Sequence, residues 1–196
     1  RPRENEERDR VLQQGSDEEI RLIEAIKASK SVLLYPAFVL AIETAVRRKE
    51  LVFLRWDQVH DLESDAPYLT LQASQTKTLR KRSVPLSVEA VKAINMLKEI
   101  QNELKSKEKE GSKRKYDYNY VLCGLDANSF SHAFRKACEK ANVEDLHWHD
   151  SRHTSLTRLM ETNKFTITEV ASVSGHTNLK SLSRYVNHNS QNIARK

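Results

Sequence analysis

Apolar side chains recur at helical spacing through most of the chain. Ile20, Leu22, Ile23 and Ile26 share one side of a first helix, with Ser16 placed to cap it and Glu18 and Glu19 in its first turn. Residues 33–46, LLYPAFVLAIETAV, are almost wholly apolar and predict a buried helix, with Pro36 in the first turn, where its missing N–H costs little. RKELVFLRW, residues 48–56, resumes helical character. The period then changes. Leu69, Leu71 and Ala73 alternate with polar neighbours, and Val84 and Leu86 alternate again, so two short strands joined by a basic hairpin are expected. A long helix follows from about Ser87 to Leu104, its apolar face made by Val91, Ile94, Leu97, Ile100 and Leu104.

The second half is read in the same way. KSKEKEGSKRK, residues 105–115, is nearly all charged and predicts a solvated loop. Tyr120-Val121-Leu122 is a short apolar piece. Residues 129–141 predict a helix capped by Ser129, and three further short helices are expected from Asp150, over Thr166–Val173 and over Asn178–Arg184. No internal repeat is visible. The fold class is mainly α with a small antiparallel β-sheet (α+β). The 196 residues suffice for one substantial domain. Residues 1–15 read as an extended or mobile linker or N-terminal tail, 16–188 as the domain, and 189–196 as a C-terminal tail.

Composition adds direction rather than proof. Lys and Arg total 33 against 27 Asp and Glu, a net charge of +6, which favours a polyanionic partner but is shared by ordinary basic enzymes. Cys123 and Cys138 are far apart in sequence, so zinc-ribbon spacing is excluded; they read as buried packing residues in a reducing, intracellular compartment. No apolar run is long enough to cross a bilayer, and the opening RPRENEERDR is too charged for a signal peptide.

The stretch HWHDSRH, residues 147–153, carries the first candidate chemistry. His149 and His153 are one helical turn apart, as zinc ligands can be. The zinc hydrolase arrangement, however, has a glutamate after the first histidine, whereas Asp150-Ser151-Arg152 stands here, and Arg152 would set a fixed positive charge beside a cation. The pair His149 and Arg152 instead suits a phosphate, since arginine offers a planar fork of donors on the same helical face. An arginine simply paired with Asp150 is the plainer alternative. A second cluster joins it: Gly175-His176, then Tyr185 nine residues after the His-bearing turn, in the segment SGHTNLKSLSRYVN.

With these motifs in order, residues 17–188 resemble the catalytic domain of tyrosine recombinases, the lambda-integrase family. Ala45-Val46-Arg47-Arg48-Lys49-Glu50-Leu51 matches the family's first arginine motif, Gln75-Thr76-Lys77-Thr78 before Val84-Pro85-Leu86 matches its hairpin lysine, and His149/Arg152, Gly175-His176 and Tyr185 match its remaining boxes. The resemblance implies catalytic roles for Arg47, Lys77, His149, Arg152, His176 and Tyr185. On that resemblance, Arg47, Arg152 and His176 are expected to stabilise charge on the phosphate, Tyr185 to attack phosphorus, His149 to be the base for its proton, and Lys77 to be the acid for the leaving 5′ oxygen. Glu50, His153 and Gly175 are supporting residues: Glu50 holds Arg47, and His153 orients or packs. Arg80, Lys81 and Arg82 are candidate DNA contacts, with a solvated hairpin as the equal alternative. Ala45-Val46 replaces Gly-Leu, and Ser151 and Ser174 each replace a leucine.

The implied function is site-specific recombination of double-stranded DNA through a 3′-phosphotyrosine, with no cofactor and no metal. Family members act as tetramers on DNA and carry an N-terminal helical domain, so the chain is expected to be a fragment, monomeric alone, of a cytoplasmic, nucleoid-associated bacterial or phage protein. Alternatives are a type IB topoisomerase-like activity and a non-cleaving DNA-binding module of the same fold.

Overall fold

The computed structural model describes residues 10–77, 79–108 and 116–185, without the Arg184 side chain. Residues 1–9 of the expected linker, Thr78 of the hairpin motif, most of the charged loop (109–115) and the tail 189–196 lie outside the described residues. Seven helices appear among those described: α1 Asp17–Lys27, α2 Leu34–Thr44, α3 Arg48–Val52, α4 Val88–Lys107, α5 Ala127–Ala141, α6 Asp150–Glu161 and α7 Ile167–Ser174. One antiparallel sheet has the order β1 (Val59–His60), β2 (Tyr68–Leu71), β3 (Arg82–Pro85), with Leu69 opposite Val84.

Hydroxyl and carboxylate caps set most helix starts. Ser16 accepts from the Glu19 N–H, Ser87 from Ala90 and Thr166 from Glu169, each satisfying an otherwise orphaned donor. The cap of α5 is Asp126, three residues before the expected Ser129: its carboxylate accepts from both Asn128 and Ser129, so Ser129 lies inside the first turn. The helix expected over 48–56 stops at Val52. Beyond it the backbone bonds across to another segment, with Val121 N donating to Leu54 O at 2.8 Å and Trp56 N to Asn119 O at 3.2 Å. Residues 178–184 form 3₁₀ turns, Leu179–Ser181 and Ser183–Tyr185, not an α-helix. Ser181 and Ser183 hydroxyls donate to the carbonyls three residues back, competing with α-helical bonding.

Two apolar clusters organise the packing. The larger joins α1, α2, α4, α5 and the sheet. At its edge Trp148 is buried against Phe130 (ring centroids 4.4 Å), Phe134 (5.2 Å) and Phe38 (6.2 Å), all edge-on, which anchors the turn leading into α6. The smaller cluster holds Ala45, Leu156, Val170, Ala171 and Leu182, with Tyr185 packed on its margin. It therefore clamps together the end of α2, helices α6 and α7, and the segment carrying Tyr185. Cys123 and Cys138 are buried free thiols whose pKa values burial raises to about 11 and about 12.

The described part of the expected mobile leader is docked instead. Leu12 is 1% exposed; its N–H donates to Thr154 Oγ1 at 2.9 Å, and its carbonyl accepts from Arg158 at 3.0 Å. Leu12 thus lies against α6. Among the described residues no helix is long and apolar enough to cross a membrane. Trp148→Ala is expected to destabilise the fold by about 3–5 kcal/mol, measured by chemical denaturation. A loss near zero would mean that the aromatic cluster does not hold α6 in place.

Candidate active site

The site begins where α2 ends. Ala45 turns left-handed (φ 52°), a conformation costing a non-glycine residue about 1 kcal/mol, and the chain re-enters a helix after Arg47. Glu50, at the third position of α3, reaches back: Oε2 accepts from the Arg47 backbone N–H at 2.8 Å, and Oε1 from Arg47 Nη1 at 3.1 Å. The same carboxylate takes two bonds from Arg82 of β3, at 3.0 and 2.7 Å. Glu50 is 1% exposed. Burial by itself would raise its pKa, but the bonds and charge of Arg82, then those of Arg47, outweigh it and hold the carboxyl below its ordinary value.

Arg82 was a candidate DNA contact from sequence. In the structure its side chain is 8% exposed and turned inward, paired with Glu50 and donating from Nε to the Val173 carbonyl at 2.9 Å. The buried carboxylate draws it in. Its neighbours Arg80 and Lys81 remain exposed.

Arg152, 5% exposed on α6, donates to the Ala45 carbonyl and, at 2.8 Å, to the Ser174 carbonyl. Arg47 Nη2 lies 3.5 Å from the neighbouring Gly175 carbonyl. Burial, then the charge of Arg47, pushes the Arg152 pKa down to about 9, so it stays cationic at neutral pH. His176 sits 3.5 Å from Arg152 Nη2, and its Nδ1 is 2.7 Å from Ser174 Oγ. Burial and then Arg152, Arg47 and Arg82 lower the His176 pKa to about 4, leaving the ring neutral. Gly175, which ends α7, has φ 72°, and a Cβ there would lie 3.0 Å from Arg82 Nη1. Glycine is required both for the turn and for the close approach.

Tyr185 reaches the same place from the chain's later turns. Its hydroxyl is 2.6 Å from His153 Nδ1, and a Tyr185 phenolate would bear electrostatically on Arg152. His149, favoured from sequence as the partner of the phenol, stands one ring away, edge-on to His153 with centroids 5.1 Å apart. Desolvation, then Arg152, lowers the His149 pKa, so it too is neutral at pH 7. Lys77 is exposed just after the turn Ala73–Gln75. That turn is pinned by Gln75, which bonds the Phe53 carbonyl at 2.8 Å and the Gln58 side chain at 2.6 Å, while Thr76 Oγ1 donates to the Arg80 carbonyl at 3.0 Å. Lys77, Arg47 and His149 line one open cleft of about 1450 Å³, together with Arg48, Lys49 and Arg135.

Arg47, Arg152, His176 and Tyr185 are therefore gathered at one corner, with Lys77 and His149 on the adjoining cleft. Among the described residues no group of three or more His, Cys, Asp or Glu side chains is placed to hold a metal ion. Sequence reasoning missed the inward turn of Arg82, which sits in a run of basic residues and gives no sign of it. The contact of His153 with Tyr185 was likewise not visible in sequence. Helical spacing puts both histidines on one face of α6, and only the folded position of Tyr185 distinguishes them.

Residues 15–192 match the model of the phage integrase family. The chain belongs to the phage integrase family. Among curated members, the shufflon-specific DNA recombinase of Escherichia coli is 34% identical over 185 residues, covering 94% of this chain and 42% of that protein. A putative integrase/recombinase of Haemophilus influenzae is 33% identical over 148 residues, covering 74% of this chain and 34% of that one. This phage integrase family chain thus spans less than half the length of either relative. Its fold is that of XerA recombinase (TM-score 0.69, 21% identity, 95% of this chain and 63% of that) and of XerH bound to its difH substrate (0.68, 17%, 94% and 52%). The mainly helical fold class with a small antiparallel sheet, and the resemblance to tyrosine recombinases, are both borne out.

Glu50→Gln leaves the buried Arg82 guanidinium and the partly exposed Arg47 guanidinium without their counter-charge and is expected to cost about 3 kcal/mol or more by denaturant titration. The depressed Glu50 pKa stabilises the fold fully above the unfolded carboxylate value of about 4.3, and that contribution is lost as pH falls through the lower folded value. His176 acts in the same sense between its unfolded value of about 6.5 and about 4. Acid titration should therefore be shallower in Glu50→Gln, and an unchanged acid limb would show that the carboxylate is not the hub.

Proposed function

We propose that the chain is the catalytic domain of a site-specific recombinase that cuts and rejoins double-stranded DNA through Tyr185. The observation carrying this reading is the convergence of Arg47, Arg152 and His176 on the corner formed by the Ala45, Ser174 and Gly175 backbone, with the Tyr185 phenol held at its margin.

A phosphodiester is anionic, and its pentacoordinate transition state concentrates charge on the non-bridging oxygens. Backbone carbonyls orient Arg152 without neutralising it, Arg47 is held by Glu50 beside the Gly175 carbonyl, and each guanidinium has further N–H groups in the same fork for phosphate. His176 adds a donor once the anion's charge raises its pKa. Tyr185 Oη attacks phosphorus, its proton passes to His153 Nδ1, and the bond to the 5′ oxygen breaks as Lys77 supplies that oxygen with a proton. The product is a 3′-phosphotyrosine and a free 5′-hydroxyl. Attack by the 5′-hydroxyl of a second strand reverses the chemistry, so no nucleotide cofactor is consumed. His149, neutral and within one ring of His153, can accept the proton onward, which adapts the role read from sequence. The arginines supply the charge that a metal would bring elsewhere.

The exposed Arg80 and Lys81 and the cationic side of the cleft suit phosphates flanking the cut. Assembly as a tetramer on DNA in the longer parent, a monomer for this chain alone, and action on DNA in the bacterial cytoplasm complete the proposal.

Incubating the chain with nicked duplexes that trap the covalent intermediate tests the reading on denaturing gels. Tyr185→Phe should lose the adduct entirely. Arg152→Ala should slow cleavage by about 10²-fold or more. Its DNA affinity should stay within about tenfold, because binding is shared among many phosphates. Parallel loss of both properties would assign Arg152 to binding or folding rather than to the transition state. Chelators should leave the rate unchanged; full inhibition would point to a metal-dependent step.

A further inference from the structure

Ser174 ends α7 with its side chain enclosed, 1% exposed, between two partners. Oγ lies 2.6 Å from the Val170 carbonyl oxygen and 2.7 Å from His176 Nδ1, with the Ala171 carbonyl at 3.5 Å on the Val170 side. A hydroxyl carries one proton. Aimed at the imidazole, it leaves two oxygen lone pairs facing each other at 2.6 Å with no proton between them and no room for water. Aimed at Val170, it leaves Oγ as an acceptor, and the imidazole must supply an Nδ1–H. Only the second arrangement turns both short contacts into hydrogen bonds.

We infer that Ser174 is a positioning residue that fixes His176 as the Nδ1–H tautomer and leaves Nε2 as the ring's working nitrogen. The inference deepens the phosphate-binding role proposed for His176 and rests on it. The groups facing this ring are Arg152 and His153 from α6, Arg47 from the start of α3 and Arg82 from β3, with Glu50 behind the last two. Without DNA the ring is neutral; both ring nitrogens lie 3.5 Å from Arg152 Nη2, so the short Ser174 contact at Nδ1 is what distinguishes them and leaves Nε2 as the acceptor beside the cation. When an anionic phosphate enters, Nε2 takes a proton from solvent and becomes a donor, while Nδ1–H stays on Ser174. The ring changes from acceptor to donor without turning. A leucine at position 174, as in the family pattern, has no oxygen to accept from Nδ1, so the control belongs to this chain's serine.

The test is long-range proton–nitrogen NMR on the DNA-free chain labelled at histidine nitrogen, at mildly alkaline pH, with His176 assigned through His176→Gln. Wild type and Ser174→Thr should show a protonated Nδ1. Ser174→Ala should show Nε2–H or a mixture of tautomers, because the partner of one ring nitrogen decides which carries the proton. Single-turnover adduct formation should fall about tenfold in Ser174→Ala, the scale seen when a functional histidine loses its orienting partner. Ser174→Thr should recover it, the acidic limb of the pH–rate profile should move in the alanine variant, and DNA affinity should hold. A wild-type Nε2–H tautomer, or an identical spectrum in Ser174→Ala, overturns the inference. A protonated Nδ1 in a chain whose Tyr185 never forms an adduct supports the tautomer assignment and instead counts against the recombinase reading.

Discussion

Glu50 is a carboxylate sealed from water between two guanidinium groups, and the geometry of the site hangs on it. One of those groups, Arg82, comes from β3, and the other, Arg47, from the start of α3. Arg82 also bonds the end of α7 through the Val173 carbonyl and occupies the space that a Cβ on Gly175 would need. A sheet, a short helix and the turn bearing His176 are thereby tied to one buried negative charge. Arg47, Arg82 and Arg152 could not otherwise sit so close in a poorly solvated corner, because their mutual repulsion would be unscreened.

The second constraint is the way Arg152, which bonds no carboxylate among the described residues, is held by backbone carbonyls. Arg152 is bonded to the Ala45 and Ser174 carbonyls, and Arg47 approaches that of Gly175. Carbonyl dipoles orient a guanidinium yet leave its charge intact. Burial first, and then the neighbouring arginine charges, lower the pKa values of Arg152, His149 and His176 in this corner. An anion entering there meets donors already in place, which is the condition for stabilising a charged transition state without reorganisation. The left-handed turn at Ala45 fits this picture, since it ends α2 where its carbonyl can meet Arg152.

Long periodic helices with a hydroxyl cap were legible in the sequence because two local signals agree: apolar spacing and a donor-satisfying side chain. Ser16, Ser87 and Thr166 mark such starts. β1 was not legible, since two residues, Val59 and His60, are too few to show alternation. Nor was the docking of Leu12, which follows a highly charged segment and whose partners on α6 lie more than 140 positions away. The motif residues were legible as a set, but their pairings were not. A basic run cannot reveal that Arg82 turns inward while Arg80 and Lys81 face out, and spacing along α6 cannot reveal which histidine the phenol of Tyr185 will meet.

The most direct measurement of the central claim is a crystal structure of the chain with two half-site DNA strands bridged by orthovanadate, which mimics pentacoordinate phosphorus. Vanadate oxygens within hydrogen-bond reach of Arg47, Arg152 and His176, with Tyr185 Oη at one apex, are expected. Vanadate bound elsewhere, or bound in that corner with Tyr185 turned away from it, would contradict the claim.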